Sequence, residues 1–322
     1  MEPTESQRHR SEPGQSAFWD SQINDAAVVE AETAKVRALV GIGSDVPVAF
    51  DDEGWDSRVY LIDGGATVFK FARNAMAAQQ YEFEVAALRL LESRGVDQVA
   101  LPRVRWVDDD RGYFGYRGIV GESLATALPT LTIARRAAIG AAIGALLGEL
   151  HSCELDSAPT HSIEFDLAHY AEKVALARPV LEAEFDVAER ARLEAFVRDD
   201  LAIGLRRGDA SMLLGHGDLG PWNVVVTDDG VGVIDFGDIG YHDPAKDFSG
   251  FGDGTITAVA LDAYEADDAM RERAALRATA LPLLDIPFFL GKGNDAGVRA
   301  CVAAIRAGIL GSTPRPTRRP PH

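Results

Sequence analysis

Cysteine is scarce in this 322-residue chain: only Cys153 and Cys301 occur, far apart and in no CxxC pair. That argues against a disulfide-stapled scaffold and a cysteine-built metal centre, and leaves two buried free thiols as the expectation. No run of eighteen or more apolar residues appears, so no membrane span is expected. The first fifteen residues are polar, with Pro3 and Pro13, and lack the apolar core of a secretory signal. The expected location is therefore the cytoplasm. Bases are also short: thirty-two against fifty acids, a formal net charge of −18. Such a chain repels phosphate backbones and anionic lipid, so no nucleic acid and no membrane is expected among its partners. Solubility alone explains the charge, and so does a cationic partner. Charge does not choose between them.

What is present is an ordinary soluble composition, 47% hydrophobic and 25% charged. The length suits one large domain or two lobes. Residues 1–16 and the Pro/Arg tail 313–322 read as disordered. Between them the hydrophobic period changes along the chain. A helix is expected from about Asp25 to Val40. Short strands follow at Val48–Phe50, Arg58–Ile62 and Thr67–Phe71, separated by Asp51-Asp52-Glu53-Gly54 and Asp63-Gly64-Gly65 turns. A long helix spans Ala75–Ser93, and strands near Arg103–Asp108 and Tyr113–Ile119 complete a five-stranded antiparallel sheet. From Thr130 onward the pattern is helical: to His151, then Leu167–Arg178, Val187–Arg206 and from Asp243 to Gly308. One hairpin, Val224–Val226 and Gly232–Ile234, interrupts it. The fold class is α+β in two lobes, 17–118 and 119–312, with the boundary near Tyr116–Glu122.

The most informative stretch is His216-Gly217-Asp218-Leu219-Gly220-Pro221-Trp222-Asn223, followed by Val233-Ile234-Asp235-Phe236-Gly237. Phosphoryl transfer needs one carboxylate to accept or orient the proton of an attacking hydroxyl. It also needs an amide oxygen and a second carboxylate to hold Mg²⁺ against a triphosphate. A hairpin between the two segments would return Asp235 beside Asn223, while Asp218 faces the acceptor. The bland alternative is that Asp218 and Asp235 merely cap turns. Upstream, Val68-Phe69-Lys70-Phe71 places a lone lysine in an apolar strand, where burial is costly without a partner. Its bland alternative is a solvent-facing edge lysine.

These residues resemble the motifs of the aminoglycoside phosphotransferase / choline kinase-like family, which has a protein-kinase-like fold. The run Asp235-Phe236-Gly237-Asp238 through Asp243-Pro244-Ala245-Lys246-Asp247-Phe248 is most similar to the 2″-aminoglycoside branch, with macrolide phosphotransferases as neighbours. The resemblance implies that Asp218 is the catalytic base, that Asn223 and Asp235 are Mg²⁺ ligands, and that His216 braces the loop. It implies that Lys70 grips the nucleotide phosphates and pairs with Glu84, with Glu82 as the fallback. Ser57, in the turn after Gly54, is a candidate phosphate contact, although the turn lacks G-x-G-x-x-G. The connector containing Tyr116 and Gly118 resembles the family's hinge, where backbone groups read the nucleobase. No G-x-x-x-x-G-K-[ST] occurs, and only five residues separate Gly237 from Asp243, too few for a protein-substrate platform. Asp243 and Asp247 read first as helix caps and only second as acceptor ligands.

The implied activity is γ-phosphoryl transfer from ATP or GTP to a hydroxyl of a small cationic acceptor, an antibiotic of the aminoglycoside type. Ten acids between Glu164 and Asp200 would serve a polycation, or else form solvated helix faces. A macrolide phosphotransferase or a metabolic kinase for choline, homoserine or a sugar is the alternative. A nucleotide-binding pseudokinase would lack one of Lys70, Asp218, Asn223 or Asp235, and all four are present.

Overall fold

The structure is a computed structural model that describes residues 24–311 except 53, 55 and 209. The two ends expected to be disordered, 1–16 and 313–322, lie outside the described residues, as do Glu53 and Trp55 of the turn before Ser57. The chain forms two compact units. One holds the described residues up to Glu122 together with Val225–Asp238; the other holds Ser123–Val224 and the chain from Ile239 onward.

In the first unit, helix α1 (Ala26–Val40) starts where the Asp25 side chain accepts from the Ala27 amide. Five antiparallel strands follow: β1 (Ala49–Asp51), β2 (Ser57–Ile62), β3 (Thr67–Ala72), β4 (Arg103–Val107) and β5 (Tyr113–Arg117). Their order is β1-β2-β3-β5-β4, so the last strand in sequence lies inside the sheet, beside β3. Alternation sorts β3 into two faces. Phe69 and Phe71 point to a core shared with Val36 of α1, Tyr60, Ile62 and Tyr113. Burying side chains of this size contributes roughly 1.5–3 kcal/mol each. Glu32 of α1 fastens the same face by accepting from Tyr60 Oη at 2.7 Å and Arg58 Nε at 2.8 Å. The other face of β3 carries Val68 and Lys70.

Helix α2 (Ala75–Ser93) is capped by Asn74, whose side chain accepts from the Ala77 amide. Its buried residues Ala77, Tyr81, Glu84, Val85, Leu88 and Leu91 recur at helical spacing, which sets Glu84 on the inward face. The hairpin of β7 (Val224–Val226) and β8 (Val231–Val233) closes through Thr227 and Gly230. Sequence order places it amid helices, yet its residues from Val225 onward group with the sheet unit. Ala100 exchanges backbone bonds with Val231 and Val233.

The second unit is helical. Helix α3 (Ile133–His151) is capped by Thr132, α4 (Ile163–Glu184) by Ser162, and α5 (Val187–Ala195) by a capping box between Asp186 and Glu189. Helix α4 is longer than expected because its burial continues past Pro179 to Leu181. The helix expected to run to Arg206 widens into a π-type stretch at Phe196–Leu201. Among the strands not anticipated, β6 (Leu213–Gly215) pairs antiparallel with β9 (Gly240–His242). Then come a 3₁₀ turn (Pro244–Phe248) and helices α6 (Gly254–Ala263), α7 (Asp268–Gly291) and α8 (Asp295–Ile305).

Helix α7 is long and apolar enough by composition to cross a membrane. It instead buries Leu283 and Ile286 against Tyr170, Leu181, Phe196 and Ile305. Its Arg273 and Arg277 hold the fully buried Asp243 at 3.1 Å, and Arg277 also reaches Asp166 at 2.7 Å. Asp243 therefore does more than cap the turn: it is the centre of an ion-pair network joining the turn to α7.

Candidate active site

Lys70 sits at the middle of the sheet, opposite Val59 on one side and Phe114 on the other. Its ammonium nitrogen lies 2.7 Å from Glu84 Oε2, 3.0 Å from Glu84 Oε1 and 2.8 Å from Asp235 Oδ1. Only 6% of the lysine and 1% of Glu84 is exposed, so these charges are paired in a dry place. Burial alone would pull the Lys70 ammonium down, but the Asp235 and Glu84 carboxylates hold it well above its ordinary value. Burial pushes the Glu84 carboxyl up, to about 7, against the pull of Lys70. The Phe236 amide also donates to Glu84, so one carboxylate orients both the lysine and the backbone beside Asp235. Glu82, the fallback partner, is exposed and pairs with Arg111 at 2.7 Å.

Asp235 itself has φ 62°, the left-handed region that a non-glycine residue enters at a cost of about 1–3 kcal/mol. The strain turns its half-exposed side chain back to Lys70 instead of continuing β8. Asp56 lies near Asp238 and Asp235; burial first, and then these two carboxylates, push its carboxyl above the ordinary range.

The remaining nucleotide-site expectations fare differently. Ser57 is buried, and its hydroxyl accepts from Tyr81 Oη at 2.7 Å. Tyr116 lies in β5 between Val68 and Val104, its ring buried against Phe114. The Gly118 amide donates to Ala66 O at 3.1 Å.

In the second unit, β6 runs straight into His216-Gly217-Asp218. Gly217 has φ 86°, which lets the chain turn there without a Cβ penalty. Asp218 is exposed. Its backbone amide donates to His216 Nδ1 at 3.3 Å, and its carbonyl and Oδ2 accept from Asn223 Nδ2 at 2.8 and 3.1 Å. With its nitrogen so engaged, Asn223 turns its amide oxygen away as an acceptor. An amide oxygen and a carboxylate are each hard donors, the type Mg²⁺ takes in ones and twos alongside phosphate oxygens. By donor type, Asn223 and Asp235 each suit that ion.

The anchor of this loop was missed in the sequence. Asp247 is fully buried, and it accepts from the backbone amides of His216 and Gly217, each at 2.8 Å. His151 Nε2 at 3.1 Å and His242 Nε2 at 3.3 Å close on the same carboxylate. A side chain at Gly215 would collide with His242 and Asp247, so only glycine admits the clamp. Burial works against the charged form, but the His242 and His151 contacts hold the Asp247 carboxyl well below its ordinary range. Asp247 is thus not a simple cap. Its signal in the sequence was its place in Asp243-Pro-Ala-Lys-Asp247, which says nothing of partners near residues 151 and 216.

An internal lysine–glutamate pair tied to an aspartate after a hairpin, and a second loop carrying Asp218 and Asn223, define a kinase-like phosphotransferase. The chain belongs to the phosphotransferase enzyme family, whose model matches residues 48–285. Among solved structures, it is similar to the GDP and kanamycin complex of APH(2")-IIia, with TM-score 0.70 and 18% identity over 88% of this chain and 99% of that one. The macrolide 2'-phosphotransferase MphH from Brachybacterium faecium gives TM-score 0.56 and 23% identity, over 87% and 98%. A choline/ethanolamine kinase family protein from Mesorhizobium loti gives 0.58 and 19%, over 86% and 99%. These likenesses establish the two-lobed α+β kinase-like fold. No curated protein matches the chain.

Proposed function

We propose that this phosphotransferase moves the γ-phosphoryl group of ATP or GTP to a hydroxyl of a cationic, antibiotic-like small molecule. Aminoglycosides and macrolides are the acceptor classes to test. The observation that carries the reading is the buried Lys70–Glu84 pair with Asp235 on the same ammonium. A lysine that grips phosphates needs such pre-orientation.

In this mechanism Asp218 takes the proton of the acceptor hydroxyl as the oxygen attacks the γ-phosphorus in line. Lys70 neutralises the α- and β-phosphates. Mg²⁺, held by the Asn223 amide oxygen and Asp235, would supply further charge neutralisation on the triphosphate. His216 supports the loop through the Asp218 amide.

Two expectations follow. Lys70→Met lowers kcat/KM by roughly a hundredfold or more, since it removes a charge from the transferring phosphates. Folding suffers far less, because the Glu84 carboxyl already sits near 7 and takes a proton when the lysine is gone. Steady-state kinetics beside denaturation curves check this, and equal losses in both would mark Lys70 as structural. Asp235→Ala abolishes the Mg²⁺-dependent rise in Tm given by ATP or GTP. An unchanged rise removes Asp235 from the metal site.

Five of the ten acids between Glu164 and Asp200 are already engaged within the chain. Glu164 pairs with Arg206, Asp166 with Arg277, Glu189 with Arg306 and Asp199 with Arg198, while Asp186 caps α5.

A further inference from the structure

We infer that a cavity in the second unit is the acceptor subsite, and that it takes a molecule with one ammonium group on an otherwise apolar body, paired by Asp285. The inference rests on the phosphotransferase reading above.

The cavity, of about 590 Å³, lies between α6, α7 and the turn Ser249–Gly254. Its walls include Ala258, Leu261, Ala278, Leu281 and Pro282. One rim touches the chemistry: Gly250 packs on the backbone of Leu219 and Gly220, the residues that follow Asp218. A molecule seated there lies against the loop that carries the catalytic carboxylate.

The charges around the cavity are nearly all spent. Asp253 is paired with Arg136 at 2.9 Å and also accepts from the Thr255 and Ile256 amides. Arg271 is paired with Asp262 at 2.8 Å. Asp285 makes no ion pair or hydrogen bond among the described residues. It is open to solvent yet surrounded by apolar groups, which push its carboxyl up to about 6. An ammonium group brought beside it restores the charged form and forms a charge-assisted pair in a low-dielectric setting.

One unmatched carboxylate serves one amine. A compound with four amines would bring several unpaired charges against aliphatic walls, and desolvating them is costly. A compound as small as choline would leave most of the space empty. A large lactone with one tertiary amine and free hydroxyls matches both the volume and the single charge.

The test uses the full chain with erythromycin, a lactone with one tertiary amine, and kanamycin, a polyamine. Calorimetry without nucleotide reads binding, and mass spectrometry with ATP or GTP reads phosphate on the drug. Erythromycin is expected to bind and to gain one phosphate. Asp285→Asn raises its KM about tenfold or more, the size of a lost charge-assisted contact. Ala258→Phe, at an exposed wall position, fills the cavity and blocks binding. Tighter binding of kanamycin, erythromycin binding that neither variant moves, or bound erythromycin that never gains phosphate would each overturn the inference. Nucleotide turnover with another hydroxylated acceptor would then show that the kinase reading survives. Loss of all transfer, with no Mg²⁺-nucleotide binding, would show that both have failed.

Discussion

Asp218→Asn is expected to lower kcat by about a hundredfold or more while leaving nucleotide affinity nearly unchanged, the size of effect typical of a positioned acid–base group. The substitution keeps the shape of the side chain. An amide oxygen at 218 still accepts from Asn223 Nδ2, and the backbone contacts to His216 and Asn223 do not involve the altered group. What disappears, on the proposed reading, is the carboxylate that would receive the acceptor proton. Single-turnover kinetics beside nucleotide-induced thermal shifts separate the two effects. Near-normal turnover would remove Asp218 from the chemistry.

Asp247→Asn should cost about 3–5 kcal/mol of stability, as breaking a buried charged network does. The amide can satisfy only some of four donors, because its NH₂ must face a backbone N–H or a histidine Nε2. The pH dependence has a definite sign. The Asp247 carboxyl titrates well below 3.8 in the folded chain. Its contribution is therefore complete above the ordinary carboxylate value and is lost as pH falls below it. Denaturant titrations at neutral pH and below 4 check this: the variant loses stability at neutral pH and shows a shallower decline in acid. A neutral-pH stability equal to that of the parent would show that the clamp carries no weight.

Much of the scaffold was legible because local signals agreed. Asn74 and the inward spacing of Tyr81, Glu84 and Leu88 define α2 from Ala75 to Ser93. Lys70 stood out because an ammonium in an apolar strand demands a partner. Other features carry no local signal. β6 and β9 are three residues each, too short for alternation, and their pairing spans about 25 residues. That β5 lies beside β3 follows from how α2 crosses the sheet. Asp247 resembled a cap because its partners lie on α3, β9 and the loop after β6, far along the chain. Ser57 and Gly118 stood out by their place in a pattern, which carries no sign that the Ser57 hydroxyl accepts from Tyr81 and the Gly118 amide donates to Ala66. Asp285 was detectable as a lone acid in Leu281-Pro282-Leu283-Leu284-Asp285-Ile286-Pro287, but the helical burial pattern absorbed it.

The Asp247 clamp also bears on how such a protein changes over generations. The catalytic loop takes its position from a carboxylate fastened to α3 and β9, whereas the cavity walls belong to α6 and the second half of α7. Drift at Ala258, Ala278 or Leu281 can reshape the space offered to an acceptor without loosening any bond that places Asp218. On the proposed reading, machinery and selectivity rest on different residues. On that reading, changes confined to two helices would alter the acceptor while leaving the parts that perform the transfer as they are.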